Sequence, residues 1–88
     1  MKLHELKCED PHFSDVAAGK KRFEWRKNDR DFQEGDLLLL RQWDPEAKRY
    51  PPSTPILVRV TSILTEGYEL PAGWCIMSIT KPQKVVKE

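Results

Sequence analysis

Between Gly19 and Phe32 the chain reads Gly-Lys-Lys-Arg-Phe-Glu-Trp-Arg-Lys-Asn-Asp-Arg-Asp-Phe, and here most of the reactive side chains are gathered. Residues 20–30 carry six basic groups (Lys20, Lys21, Arg22, Arg26, Lys27, Arg30) against two acids, Glu24 and Asp29. The remainder is close to neutral, with two basic and four acidic residues before this segment and seven and eight after it. A net charge of +1 excludes a chain that holds nucleic acid by bulk charge, yet the clustering favours an anionic partner. Arg22, Glu24 and Arg26 alternate at strand spacing, about 6–7 Å per two residues. In that arrangement Glu24 orients guanidinium groups for bidentate phosphate contact. Alternatively, if burial raises its pKa, Glu24 accepts a proton as a general base, with Lys21 stabilising negative charge. Lys20 and Lys21 stand near the turn before this strand, and Asp29-Arg30 follow it, Arg30 extending the positive surface and Asp29 being a further candidate contact. Trp74 and Tyr50 offer faces on which an unpaired base can stack.

Each of these features also has a plain structural reading. Glu24 between two arginines makes an ion-pair network on a strand, Asp29-Arg30 a salt-bridged loop, and Lys21 an ordinary surface lysine. Alternation places Phe23 and Trp25 in the core and Arg22, Glu24 and Arg26 on the opposite, outer face. His4 shares a side with Leu6 and Cys8 and reads as a satisfied core or rim histidine. Two histidines and two cysteines at scattered positions form no recognisable metal site, so no metal and no cofactor is expected. Cys8 and Cys75 read as buried reduced thiols.

The elements that must position these groups follow from patterning. Leu3 to Cys8 alternates and suits a first strand. Asp10-Pro11 starts a short helix, with Pro11 in its first turn and Phe13, Val16 and Ala17 as an apolar stripe closed by Gly19. Arg22–Arg26 is a second strand, and Asn28-Asp29 and Gly35-Asp36 mark turns. Leu37 to Trp43 opens with four leucines, consistent with a strand buried on both faces, although periodicity alone does not exclude a helix segment. Asp44 to Pro55 holds four prolines and reads as a long loop. Ile56 to Ile63 is rich in β-branched residues and Trp74 to Thr80 forms the last strand. Residues 81–88 make a polar tail that is expected to be flexible. About five strands with one short helix after the first predict an α+β, mostly β fold, a small mixed β-barrel forming a single domain over residues 1–88.

The pattern Gly-x-Lys-x-x-Glu-x-Arg, carried by Gly19, Lys21, Glu24 and Arg26, resembles the signature of the ASCH domain family within the PUA-like barrels. His4, Leu6 and Lys7 at the start, the Phe23-to-Arg30 run and Gly35-Asp36 extend the likeness across most of the chain. The resemblance implies a PUA-like barrel that binds RNA or a modified nucleoside in a cleft beside the helix. It also implies that Lys21, Glu24 and Arg26 are the motif's functional residues. Some relatives of that type are ribonucleases and others amidohydrolases acting on N4-acetylcytidine. The amidohydrolases carry a threonine where Glu24 stands.

The expected function is therefore binding of single-stranded RNA or a nucleotide-like ligand. Lys21 and Arg26 contact phosphate in this reading, Arg22 and Arg30 extend the surface, and Glu24 orients the cluster or reads a base donor. One alternative is a metal-independent enzyme on RNA or a modified nucleoside, ribonuclease or amidohydrolase-like, with Lys21 and Glu24 as catalytic residues. Another is a protein-interaction module, since the mixed signs of Arg22-Glu24-Arg26 also suit a protein partner. No membrane association is expected. The N-terminus lacks an apolar signal core, which points to a cytoplasmic chain acting as a monomer or weak homodimer.

Overall fold

The computed structural model describes residues 1–82; of the expected tail, residues 83–88 lie outside the described residues. Lys81, which begins that tail, is tied back to the helix, donating a hydrogen bond of 2.9 Å to the Ala17 carbonyl.

Five strands and one short helix follow in the expected order: β1 (Leu3–Cys8), α1 (His12–Ala17), β2 (Phe23–Lys27), β3 (Leu37–Gln42), β4 (Ile56–Leu64) and β5 (Trp74–Thr80). They form one mixed sheet in the order β1-β3-β4-β5-β2, curled into a half-barrel. Only the β1–β3 pairing is parallel, and β4 carries an irregularity between Val60 and Ser62 opposite β5. Such a bulge sharpens the local bend of a strand and so helps the sheet curl. The core lies inside the curve, built from Leu6, Cys8, Leu38, Leu40, Val58, Val60, Cys75, Met77 and Ile79. Phe13 and Val16 of α1 join it from one side.

Some elements keep their expected pattern and others depart from it where neighbours intervene. In β1 the alternation holds, with His4, Leu6 and Cys8 buried. Two turns of helix cannot persist on propensity alone, and α1 is held by Phe13 and Val16 while Ala17 stays exposed. Pro11 stands one place earlier than expected, as the cap residue. Asp10 accepts from the Ser14 backbone N–H (2.9 Å) and hydroxyl (2.7 Å), while Gln42 at the end of β3 donates to its other oxygen (2.9 Å). These bonds hold the Asp10 carboxyl below its usual pKa. Gly19 has φ +77°, the left-handed conformation that ends the helix without a Cβ clash. The backbone N–H groups of Lys20 and Lys21 return to the Asp15 carbonyl, which fixes the turn that presents both lysines. In β3, Leu38 and Leu40 are fully buried but Leu37 and Leu39 only half, so burial on both faces is partial.

β2 reverses the expected facing. Phe23 and Trp25 are 48% and 53% exposed, whereas Glu24 is 3% exposed. The reason lies in the register with β5, where Glu24 pairs Met77 and Arg26 pairs Cys75, both partners being core residues. Directly paired residues share a face of the sheet, so the inward parity of β5 turns Glu24 and Arg26 inward and the aromatics outward.

Candidate nucleotide-binding cleft

Because β1 and β2 are the two edges of a curled sheet, they confront each other across a gap, and α1 links them at one end. The gap is a cleft of about 1470 Å³. Arginines strap it: Arg26 on β2 donates to the Lys7 carbonyl (2.7 Å), and Arg30 donates to the Glu5 carbonyl (2.9 Å), both acceptors lying on β1.

Eight of the nine side chains singled out from sequence line this cleft: Lys20, Lys21, Glu24, Arg26, Asp29, Arg30, Tyr50 and Trp74. Arg22 does not. It precedes β2, its Nε donates to the Gly19 carbonyl at 3.3 Å, and it borders a smaller groove with Val16, Ile79 and Lys81. Its expected place beside Arg26 fails because the register turns Arg26 inward while Arg22 stays exposed outside the strand.

At the floor, Arg26 Nε donates to Glu24 Oε2 at 2.8 Å, so its guanidinium is shared between that carboxylate and the β1 edge. Lys21 Nζ sits 3.8 Å from the other oxygen, Oε1, too far for a hydrogen bond. Oε1 is buried and has no hydrogen-bond partner. The Lys21 ammonium instead donates to His12 Nδ1 at 3.2 Å and lies 5.2 Å from the centre of the Phe23 ring. Beneath them the Cys8 thiol is pushed up to about 11 by burial and then by the nearby Glu24 charge, which makes it an inert wall residue.

Aromatic groups stand at two places on the wall. Trp25 and Trp74 meet edge to face at 6.3 Å, with Lys27 5.9 Å from the Trp74 ring centre. Tyr50 meets Trp43 edge to face at 4.9 Å, with the Arg41 guanidinium 3.9 Å over its ring and Lys7 3.8 Å over Trp43. The lining totals seven lysines and arginines against six carboxylates, so it is nearly balanced in charge.

Sequence reasoning missed His12, Phe23, Trp25 and Arg41. The two aromatics are recoverable only from strand parity, and His12 reaches Lys21 through a turn whose path no spacing rule encodes. It also took Asp36 for a turn residue. Asp36 is 2% exposed and accepts from His4 Nε2 (2.9 Å), the Lys2 backbone N–H (3.0 Å) and the Gln33 backbone N–H (3.1 Å). His4 is thus the satisfied core histidine expected, and both cysteines are buried and free. Among the described residues no group of three or more His, Cys, Asp or Glu is arranged to hold a metal ion. No helix among them is long and apolar enough to cross a membrane.

The model of a family described as a domain of unknown function, DUF3850, matches residues 3–79. The chain is also 48% identical over 42 residues to an uncharacterized 12.9 kDa protein in the GpA 3′ region of Escherichia phage P2. That alignment covers 48% of this chain and 38% of the phage protein's length. These matches overturn the ASCH assignment: neither shows an ASCH or PUA-like family. The stretch that carries the likeness, from His4 to Asp36, falls within the residues matched by DUF3850 instead.

Proposed function

The chain belongs to the DUF3850 family, and we propose that its cleft binds single-stranded RNA or a nucleotide-like ligand. One observation carries this reading: stacking faces and cations share one cleft with a buried carboxylate that keeps a free acceptor. Phosphate contact falls to Lys20, Lys21, Arg30 and the unshared part of the Arg26 guanidinium. Trp74, Trp25 and Tyr50 supply stacking, worth about 1–3 kcal/mol per base in other single-strand sites. The near balance of lining charge means that few phosphates are neutralised. Affinity is accordingly modest, with a log–log salt slope of about −1 to −2 rather than the steep slope of a basic groove.

The test is a titration of a short end-labelled single-stranded RNA at two salt concentrations, with Lys20→Ala/Lys21→Ala alongside. Salt-sensitive binding that the double variant weakens at least several-fold is the expected result. No binding at either salt, or binding indifferent to both lysines, overturns it.

A second reading, a metal-independent enzyme on RNA or a modified nucleoside, draws support from the row Glu24–Lys21–His12. There an ammonium lies between a carboxylate and an imidazole, 3.8 and 3.2 Å away. Such a row moves protons when a substrate enters it. RNA recovered from the same titration and run on a denaturing gel reads this directly. Chelator-resistant shortening that His12→Ala removes is the enzyme's signature, and intact RNA excludes the ribonuclease form.

A further inference from the structure

We infer that the base read by this cleft is guanine, recognised by Glu24 and Lys21; the inference rests on the nucleotide-binding reading above. Glu24 is an acceptor at both oxygens, about four lone-pair sites in all. Arg26 Nε occupies one site on Oε2, and Oε1 has no partner although it is buried. A buried carboxylate oxygen without a donor is costly. A ligand that brings a donor there removes that cost. Beside Oε1 stands the Lys21 ammonium, which has three donors and gives one to His12. Read along the floor from Lys21 to Oε1 to Oε2, the cleft offers donor, acceptor, acceptor.

The Watson–Crick edge of guanine is the complement: the O6 acceptor, the N1–H donor and the N2–H donor. O6 takes the Lys21 ammonium, N1–H takes Oε1, and N2–H takes the remaining lone pair of Oε2. Cytosine and adenine match two places of three, a ring nitrogen to Lys21 and an exocyclic amine to Oε1. Uracil matches worst, because its N–H is flanked by two carbonyls and one of them must face Oε2. Trp25 and Trp74 lie on the other face of the sheet, toward the Lys27 end of β2, where they offer an aromatic surface to a neighbouring base rather than to the one held by Glu24.

The experiment measures binding of five single-stranded RNA pentamers, UUGUU, UUIUU, UUAUU, UUCUU and UUUUU, by fluorescence anisotropy. UUGUU is expected to bind about tenfold or more tightly than UUUUU, as for a good bidentate pair. Inosine lacks only the 2-amino donor, so UUIUU falls between them. Glu24→Gln replaces one acceptor by a donor and erases the difference between UUGUU and UUUUU, while Lys21→Met reduces it. Each ratio is taken within one protein sample and so does not depend on the fraction folded. Equal binding of all five pentamers, a preference for adenine or cytosine, or a guanine preference that survives Glu24→Gln overturns the guanine assignment and leaves nucleotide binding standing. If none of the five binds, the nucleotide-binding reading itself falls.

Discussion

Two carboxylates are buried among the described residues, Glu24 on β2 and Asp36 just before β3, and they are treated oppositely. Asp36 receives donors from His4, Lys2 and Gln33, and the aromatic edge of Phe32 packs on the His4 ring at 4.8 Å. Glu24 has one oxygen held by Arg26 and one without a hydrogen bond, the Lys21 ammonium standing 3.8 Å away. Burial alone would push the Asp36 carboxyl upward, but the His4, Lys2 and Gln33 donors outweigh it and hold the group below its ordinary value. A saturated carboxylate fastens the structure: Asp36 ties the N-terminus and β1 to the turn before β3. A half-saturated one adds less to the scaffold, and in the reading proposed above its spare acceptor is kept for a ligand.

The largest break in this comparison comes from Asp36→Ala. It strands the His4 ring and two backbone N–H groups in the interior and is expected to cost about 3 kcal/mol. For a domain of this size the melting temperature falls by more than about 10 °C. Thermal denaturation followed by circular dichroism measures it, and a loss under about 1 kcal/mol would erase the distinction between the two sites.

Glu24→Met probes the other side. Removing the carboxylate leaves the partly exposed Arg26 guanidinium with only its Lys7 carbonyl, so a loss of about 1–2 kcal/mol is expected, smaller than for Asp36→Ala. Nucleotide affinity is expected to drop about tenfold or more, from the lost base contact. Equal losses of stability and binding would make Glu24 a scaffold residue like Asp36.

Acid offers a gentler cut. A carboxyl whose folded pKa lies below its ordinary 3.8 takes up its proton later when folded than when unfolded. Its contribution is therefore complete above that value and drains away as pH falls through the folded pKa. Urea titrations at pH 6 and pH 3 are expected to show less stability at pH 3, and Asp36→Asn flattens that limb. The smallest effect concerns Cys8. With its thiol at about 11, alkylation by iodoacetamide at pH 7.5 is slow in the folded protein. Glu24→Gln removes the second-largest cause of that shift and is expected to quicken the reaction by a few-fold at most.

Much of the architecture was legible because local chemistry and tertiary packing agree. The β-branched run of β4 and the Gly19 stop each point to one conformation, and the half-barrel keeps both. β2 shows the limit. The alternation of Phe23-Glu24-Trp25-Arg26 is plain, but a period of two has no built-in inside, and hydrophobicity chose the wrong face. Only the pairing with Met77 and Cys75, distant in sequence, decides it. The cleft was foreseen through its cations and aromatics, and eight expected residues do meet there. Its electrostatic floor was not foreseen, since Glu24 becomes special only through Oε1 being left alone. Asp36 was missed for the same reason: Gly-Asp is ordinary turn chemistry until His4 arrives from 32 positions away.

The arginine straps across the cleft bear on how the protein keeps company with itself. An open sheet normally ends in two rims of unpaired backbone groups, each a template for a strand of another chain. Here the curl turns the two rims toward one another, and Arg26 and Arg30 occupy carbonyls of Lys7 and Glu5 on the β1 rim. Those guanidiniums act as guards against edge-to-edge aggregation: an incoming strand must displace them and leave Glu24 without its partner. The strapped cleft is thus also what keeps a short, half-closed sheet from growing into a longer one.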